Sequence, residues 1–168
     1  QIAGTLTEGT YIHKRGGYYY LFGSAGSCCE GANSTYRLVV ARSKSIKGPY
    51  VSKSGGKAMD NSFDTILSKD ATFVYGPGHC SEIVTDDAGQ DWICYHGYQA
   101  SDVDKGRCMY LDQVMWDSEG WPYINGNTPS QEWDLPWIEG QTPDRTYSRV
   151  EYVEFTGASD NYKYFFDT

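Results

Sequence analysis

One pattern of residues recurs at a fixed spacing, and it limits the fold more than any other feature of the chain. Gly17-Tyr18-Tyr19-Tyr20-Leu21-Phe22 returns as Gln90-Asp91-Trp92-Ile93-Cys94-Tyr95. Tyr36-Arg37-Leu38-Val39-Val40-Ala41-Arg42 returns as Cys108-Met109-Tyr110-Leu111-Asp112-Gln113-Val114. Each copy closes on a Pro-Tyr pair, at Gly48-Pro49-Tyr50 and at Trp121-Pro122-Tyr123, and the pairs Tyr19/Trp92 and Pro49/Pro122 both stand 73 residues apart. The unit reads as strand, hairpin, strand, long loop, strand. A small antiparallel sheet of this kind cannot bury both of its faces alone, so successive units must pack on one another. Two arrangements satisfy that need, radial stacking as propeller blades or two neighbouring meanders of a sandwich. A propeller needs at least about four blades, so on the first arrangement two units are less than a ring.

The local pattern is that of an all-β chain. No window holds a 3.6-residue apolar period for three turns, whereas short β-branched and aromatic runs recur between Gly, Asn and Asp clusters. Strands are expected at 9–13, 18–23, 36–42, 81–85, 91–96 and 107–116, separated by Gly-Gly, Asp-Asp-Ala-Gly and Asp-Ser-Glu-Gly turns. Aromatic residues make up 15% of the 168, far too many for a disordered chain. Their apolar faces and polar edges suit sugar rings and interfaces alike. With 22 acidic against 14 basic residues the net charge is −8, which excludes the concentrated basic stripe that nucleic acid or an anionic membrane would need. No apolar run approaches the roughly 20 residues of a spanning helix.

The end of the chain departs from the repeat. Pro129, Pro136 and Pro143 stand among Ser, Gln, Glu and Gly with Trp133 and Trp137 between them, the composition of an extended connector. Residues 149–155 and 162–166 read as a hairpin beyond it. The organisation expected is therefore repeat units over 1–127 and a Pro-rich connector with a β-hairpin-like extension over 128–168. The chain opens on Gln1 with no leader, as a processed chain or a piece of a longer one would. Five cysteines, Cys28, Cys29, Cys80, Cys94 and Cys108, leave at least one unpaired, and no CxxC spacing points to zinc. Cys28 and Cys29 are either a vicinal disulfide or two plain loop cysteines.

The repeat also selects positions for chemistry. The first strand of a blade lines the central axis. Its start carries Thr7-Glu8-Gly9-Thr10-Tyr11 in the first unit and Gly76-Pro77-Gly78-His79-Cys80-Ser81 in the second. Glu8 and His79, 71 residues apart, fall at nearly equivalent places. A solvated Glu near a terminus and a turn His after Gly-Pro-Gly are the plain alternatives. Asp60, Asp64, Asp70, Asp86, Asp87 and Asp91 read as loop or turn residues. His96 ends its strand and reads as facing the mouth or, more plainly, as a surface loop residue, and Tyr11, Tyr36, Tyr95 and Tyr98 as core packing or sugar-stacking platforms.

These residues together resemble glycoside hydrolase family 43, nearest its endo-α-1,5-L-arabinanases. The resemblance runs in order through Glu8-Gly9-Thr10-Tyr11, Tyr19-Tyr20-Leu21-Phe22-Gly23-Ser24, Gly26-Ser27-Cys28-Cys29, residues 34–43, Lys44-Ser45-Ile46-Lys47-Gly48-Pro49-Tyr50, Gly76-Pro77-Gly78-His79 and residues 117–122. It implies the C-terminal blades of a five-bladed β-propeller catalytic domain, followed by a connector and the start of a β-rich accessory region. It also implies inverting cleavage of arabinan or arabino-oligosaccharides in an extracellular, cell-surface or periplasmic setting. The Glu-Gly-x-Tyr setting of the family's general acid carries over onto Glu8, and its Gly-Pro-Gly-His calcium residue onto His79. Gly9, Cys28, Cys29 and Tyr36 fall to the sugar-binding surface.

Inversion needs a protonated carboxyl on the leaving oxygen and an ionised one activating water across the ring, about 6.5–9.5 Å away. A carboxyl at a narrow aromatic-lined mouth is desolvated and crowded by other carboxylates, both of which favour its protonated form. The Asp base and the pKa-tuning Asp of the family belong to earlier blades, so an upstream portion of the polypeptide or a complementing chain is expected to supply them. This chain alone is expected to be inactive. Two other functions fit the same residues, an exo-acting arabinofuranosidase or β-xylosidase of the family, and a non-catalytic carbohydrate-binding β domain.

Overall fold

The computed structural model describes residues 1–5, 7–131 and 135–140. Its strands form two antiparallel sheets that follow one another along the chain. The first is a meander of β1 (Glu8–Arg15), β2 (Tyr18–Ala25), β3 (Arg37–Ser43) and β4 (Asp64–Leu67), in that order. The second runs β5 (Val74–Gly78), β7 (Asp91–Gln99), β8 (Arg107–Trp116) and β9 (Pro122–Tyr123), with β6 (Val84–Thr85) also paired to β7. Two consecutive antiparallel sheets, of four strands and of five, are what the repeat requires, and they stand as two blades of a β-propeller. Among the described residues the helical elements are single 3-10 turns of three residues.

The blades bury their facing surfaces against each other. Phe22, Leu38 and Val40 from the first sheet meet Ile93 and Val114 from the second and Ile124 just beyond it, all at 3% exposure or less. Each such side chain contributes about 1.5–3 kcal/mol by leaving water. Alternation puts these residues on one face of their strands, and Leu21 and Ala41 on the opposite face of the first sheet. There they pack with Tyr50 and Ala58, against Ile2 and Ala3. Polar contacts then fix the angle between the blades. The Arg42 guanidinium lies between the rings of Tyr18 and Trp121, 4.2 and 4.1 Å from their centroids, and donates to the Glu119 carbonyl at 2.7 Å. Tyr20 Oη donates to the neighbouring Gly120 carbonyl at 2.5 Å. The β8–β9 turn is thereby held onto the first blade.

Several expected boundaries are corrected. The first unit takes its fourth strand from Asp64–Leu67, and Pro49-Tyr50 leads only into isolated bridges of Val51 with Arg42 and Lys57. The second unit splits its inner strand: β5 and β6 both pair with β7, and residues 79–83 leave the ladder between them. Asp64 and Asp91 begin strands instead of lying in loops, although neither strand is the innermost of its sheet. β7 continues past His96 to Gln99, so His96 is a half-buried strand residue and not a surface loop residue. Gly97 does not break the strand, because a Cβ there would stand 2.5 Å from Val74 Cγ1 and the glycine serves close packing. In the connector, Ser130 packs onto Asp112, and the backbone amides of Trp137 and Glu139 donate to Asp86 and Asp87. Trp133, Pro143 and the hairpin expected over 149–166 lie outside the described residues.

Candidate functional site

The inner ends of the two blades converge on Glu8. It opens β1 opposite Ser24 on β2, and the register shifts between Glu8 and Tyr11. That bulge turns the first residues of β1 away from a regular ladder. Gly9 lies within it at φ +55°, a conformation that disfavours any side chain. His79 follows directly after β5, and its backbone N–H donates to Ser24 Oγ at 2.7 Å. Ser24 therefore faces Glu8 across the ladder while holding the backbone of His79. A Cβ on Gly9 would stand 3.1 Å from the His79 ring, so the two blades touch here through a missing side chain. Glu8 and His79 are themselves exposed on this face.

Tyr36 joins the cluster from the segment before β3. It is 2% exposed, and its hydroxyl donates to Glu8 Oε1 at 2.7 Å. Its ring fills the space over Gly78, where a Cβ would come within 2.1 Å of a ring carbon. Its ring also stacks with His96, at 5.9 Å with 14° between the ring planes. His96 in turn stacks on His79 at 5.9 Å, so Tyr36, His96 and His79 form a continuous row of rings beside the carboxyl. Burial first, and then the bond to Glu8, push the Tyr36 phenol up to about 12, so it stays a donor. Burial, with Arg107 and His79 nearby, pushes His96 down to about 4 and keeps the ring neutral. His96 Nδ1 is buried without a hydrogen-bond partner among the described residues, and Nε2 lies 3.3 Å from Arg107 Nη1.

The loop that delivers Tyr36 is tightly closed. Cys28 and Cys29 are bonded to each other, with Cys28 partly buried and Cys29 exposed at φ +70°. Ser27 and Thr35 are tied by backbone and side-chain bonds of 3.0–3.1 Å, and Ser34 Oγ accepts from the Glu30 amide at 3.0 Å. Cys80, Cys94 and Cys108 are free thiols, and burial pushes Cys80 up to about 12. Tyr11 stacks on Phe22 at 5.0 Å and Tyr95 on Tyr110 at 5.7 Å, both as core packing. The site thus brings together Glu8, Gly9, Tyr36 and His79 from the sequence reading. It adds Ser24 and Arg107, which that reading passed over, and His96, which it placed at a strand end or in a surface loop. The signal for His96 was the apolar alternation through Trp92, Cys94 and Tyr98, which runs on beyond residue 96.

Two consecutive blades thus bring a carboxyl, Glu8, to their shared inner ends. The chain belongs to the Glycosyl hydrolases family 43, whose description matches residues 1–122. It is 38% identical over 125 residues to an extracellular exo-α-(1→5)-L-arabinofuranosidase of Cellvibrio japonicus, covering 74% of this chain and 35% of that protein. It is 38% identical over 124 residues to an extracellular endo-α-(1→5)-L-arabinanase of Bacillus subtilis, covering 71% and 34%. The fold matches the structure of a Cellvibrio cellulosa α-L-arabinanase complexed with arabinohexaose, with TM-score 0.65, 38% identity, and 71% of this chain against 37% of that one. The chain spans about a third of the length of the curated relatives it matches.

Proposed function

We propose that this chain supplies the general-acid side of an inverting glycosidase that cleaves α-1,5-linked L-arabinan internally. The observation that carries the proposal is the placement of Glu8: an exposed carboxyl at the inner end of a blade, held at one oxygen by a buried tyrosine. Glu8 protonates the glycosidic oxygen as the bond to the anomeric carbon breaks. An Asp from a blade outside this chain takes a proton from water, which attacks from the opposite face, and a second Asp there tunes the acid. Arabinan or arabino-oligosaccharide lies along the mouth formed by Gly9 and the Cys28–Cys29 loop. The protein works outside the cytoplasm, where the extracellular relatives act. An exo-acting arabinofuranosidase is the second reading, favoured by the likeness to the Cellvibrio japonicus protein.

The test uses the whole protein and linear α-1,5-arabinan. The newly formed reducing sugar is read by proton NMR and the products by chain length. Inversion yields the β-anomer first, and internal cleavage yields a spread of oligomers. Arabinose or one fixed short product from the outset would shift the assignment to the exo-acting reading, and a first-formed α-anomer would remove the inverting mechanism.

Calcium belongs to the same proposal, through His79. Calcium takes about six to eight ligands, almost all oxygens. Among the described residues no three His, Cys, Asp or Glu side chains gather as a metal site. The residues here therefore fit the ion only as one imidazole ligand of an otherwise hydrated cation, whose charge would sit near the propeller axis. Millimolar calcium is expected to raise the melting temperature of the whole protein, with the rise abolished in His79→Ala. An equal rise in that variant would remove His79 as the ligand.

A further inference from the structure

We infer that Tyr36 is the positioning residue of the acid: its buried hydroxyl occupies one oxygen of Glu8 and leaves the other as the only one free to carry the transferred proton. The inference rests on Glu8 being the acid. A glutamate side chain has three rotatable bonds and, exposed on a blade edge, sweeps through many rotamers. Proton transfer to the leaving oxygen requires a carboxyl oxygen within hydrogen-bond reach of it. Something must therefore hold Glu8 still. Among the described residues the hydrogen bond recorded to its carboxyl is that of Tyr36, at 2.7 Å.

Tyr36 is built to hold it. Its ring packs against the bare Gly78 and the ring of His96, and the Ser27–Thr35 ties close the loop immediately before it. The phenol cannot follow a wandering carboxylate, so the carboxylate comes to the phenol. A phenolic O–H directed at Oε1 makes that oxygen an acceptor. The proton of the neutral carboxyl then sits on Oε2. When the glycosidic bond breaks, Oε2 gives its proton to the departing sugar oxygen, the bonding pair leaves with that oxygen, and Glu8 becomes the carboxylate. The Tyr36 bond persists and strengthens as charge develops on the carboxyl. The proton that the attacking water loses goes to the Asp base outside this chain. His96 acts one step further back, as the neutral ring that keeps Tyr36 upright.

This assigns Tyr36 a role other than sugar stacking. Its ring packs against His96 and Gly78 and is 2% exposed, so it offers no open face to a furanose ring.

The test compares two substrates in the whole protein. On arabinan the leaving group is a sugar alkoxide and needs the proton; on a dinitrophenyl α-L-arabinofuranoside it leaves readily without one. Tyr36→Phe keeps the ring and removes the hydroxyl. It is expected to lower kcat on arabinan about ten- to a hundred-fold, with KM changed less than three-fold, and to lower the aryl rate at least ten-fold less. Equal losses on both substrates would make Tyr36 a merely structural residue and overturn the inference, as would a wild-type rate on arabinan. Glu8→Gln measured in parallel separates the two claims. If it shows the substrate-selective loss while Tyr36→Phe does not, the acid stands and the positioning role falls. If neither variant shows the selectivity, the acid reading itself fails.

Discussion

Replacing Glu8 by Gln in the whole protein is expected to lower kcat on α-1,5-arabinan by about a hundred- to ten-thousand-fold, the range that a positioned general acid contributes. The substitution changes little else. Gln keeps the length and shape of the side chain, and its amide oxygen still accepts from the Tyr36 hydroxyl at the distance now spanned by Oε1. What is lost is the acidic proton, because an amide nitrogen does not release one to an alkoxide at neutral pH. The loss should therefore fall on kcat and leave KM nearly unmoved, the signature of an interaction made in the transition state. Activity should be regained in proportion to the acidity of the leaving group across a series of aryl arabinofuranosides. A Glu8→Gln enzyme that degrades arabinan at the wild-type rate would show that another residue delivers the proton.

The position of Glu8 at the inner end of a blade was legible in the sequence, while the role proposed for it came from the resemblance. The repeat locates the innermost strand of each unit and therefore the residues that start it. His79 was found the same way, and its contact with the Ser24 hydroxyl shows how near the two positions lie. The second copy of the blade was equally readable, since Trp92, Ile93 and Tyr95 repeat the alternation of Tyr19, Tyr20 and Phe22. The Tyr36–Glu8 bond was not readable. It joins residues 28 apart, and it exists because the Cys28–Cys29 loop folds back between Ser27 and Thr35. No periodicity encodes that path. The strand Asp64–Leu67 was hidden for another reason: it is four residues long, begins with an Asp, and gains its place only by pairing with β3. The split of the second inner strand follows from Pro77, which has no amide hydrogen for a ladder, and from His79, whose φ of +53° takes the chain out of extended geometry.

Asp112 is the buried group that the sequence should have flagged, and its removal is expected to be the most destabilising single change in the described fold. It sits at 1% exposure in the middle of β8, on the same face as Tyr110 and Val114, where alternation asks for an apolar residue. Tyr95 Oη donates to its Oδ2 at 2.6 Å, and both the backbone amide and the hydroxyl of Ser130 donate to its Oδ1. One carboxylate thus joins β7, β8 and the segment that follows the second blade. Burial, and then the Asp112 charge, push the Tyr95 phenol well above its ordinary value, so the donor side of the pair is never lost. Asp112→Ala strands the Tyr95 hydroxyl in the core, together with the Ser130 amide. Leaving buried donors without an acceptor costs about 1–3 kcal/mol each. Asp112→Asn keeps an acceptor and should cost less than half of that. Asp112→Ala combined with Tyr95→Phe should be more stable than the sum of the two single losses predicts, because no orphaned hydroxyl remains at residue 95. Urea unfolding of the whole protein, followed by tryptophan fluorescence, measures all four. The expected order of midpoints is wild type, Asp112→Asn, then Asp112→Ala, and an Asp112→Ala midpoint within 0.2 M of wild type, roughly the effect of a few tenths of a kcal/mol, would show that the carboxylate carries no part of the packing between β7 and β8. The strand it anchors also bears His96, the ring on which Tyr36 leans, so the same variant should weaken arabinan cleavage in those molecules that remain folded.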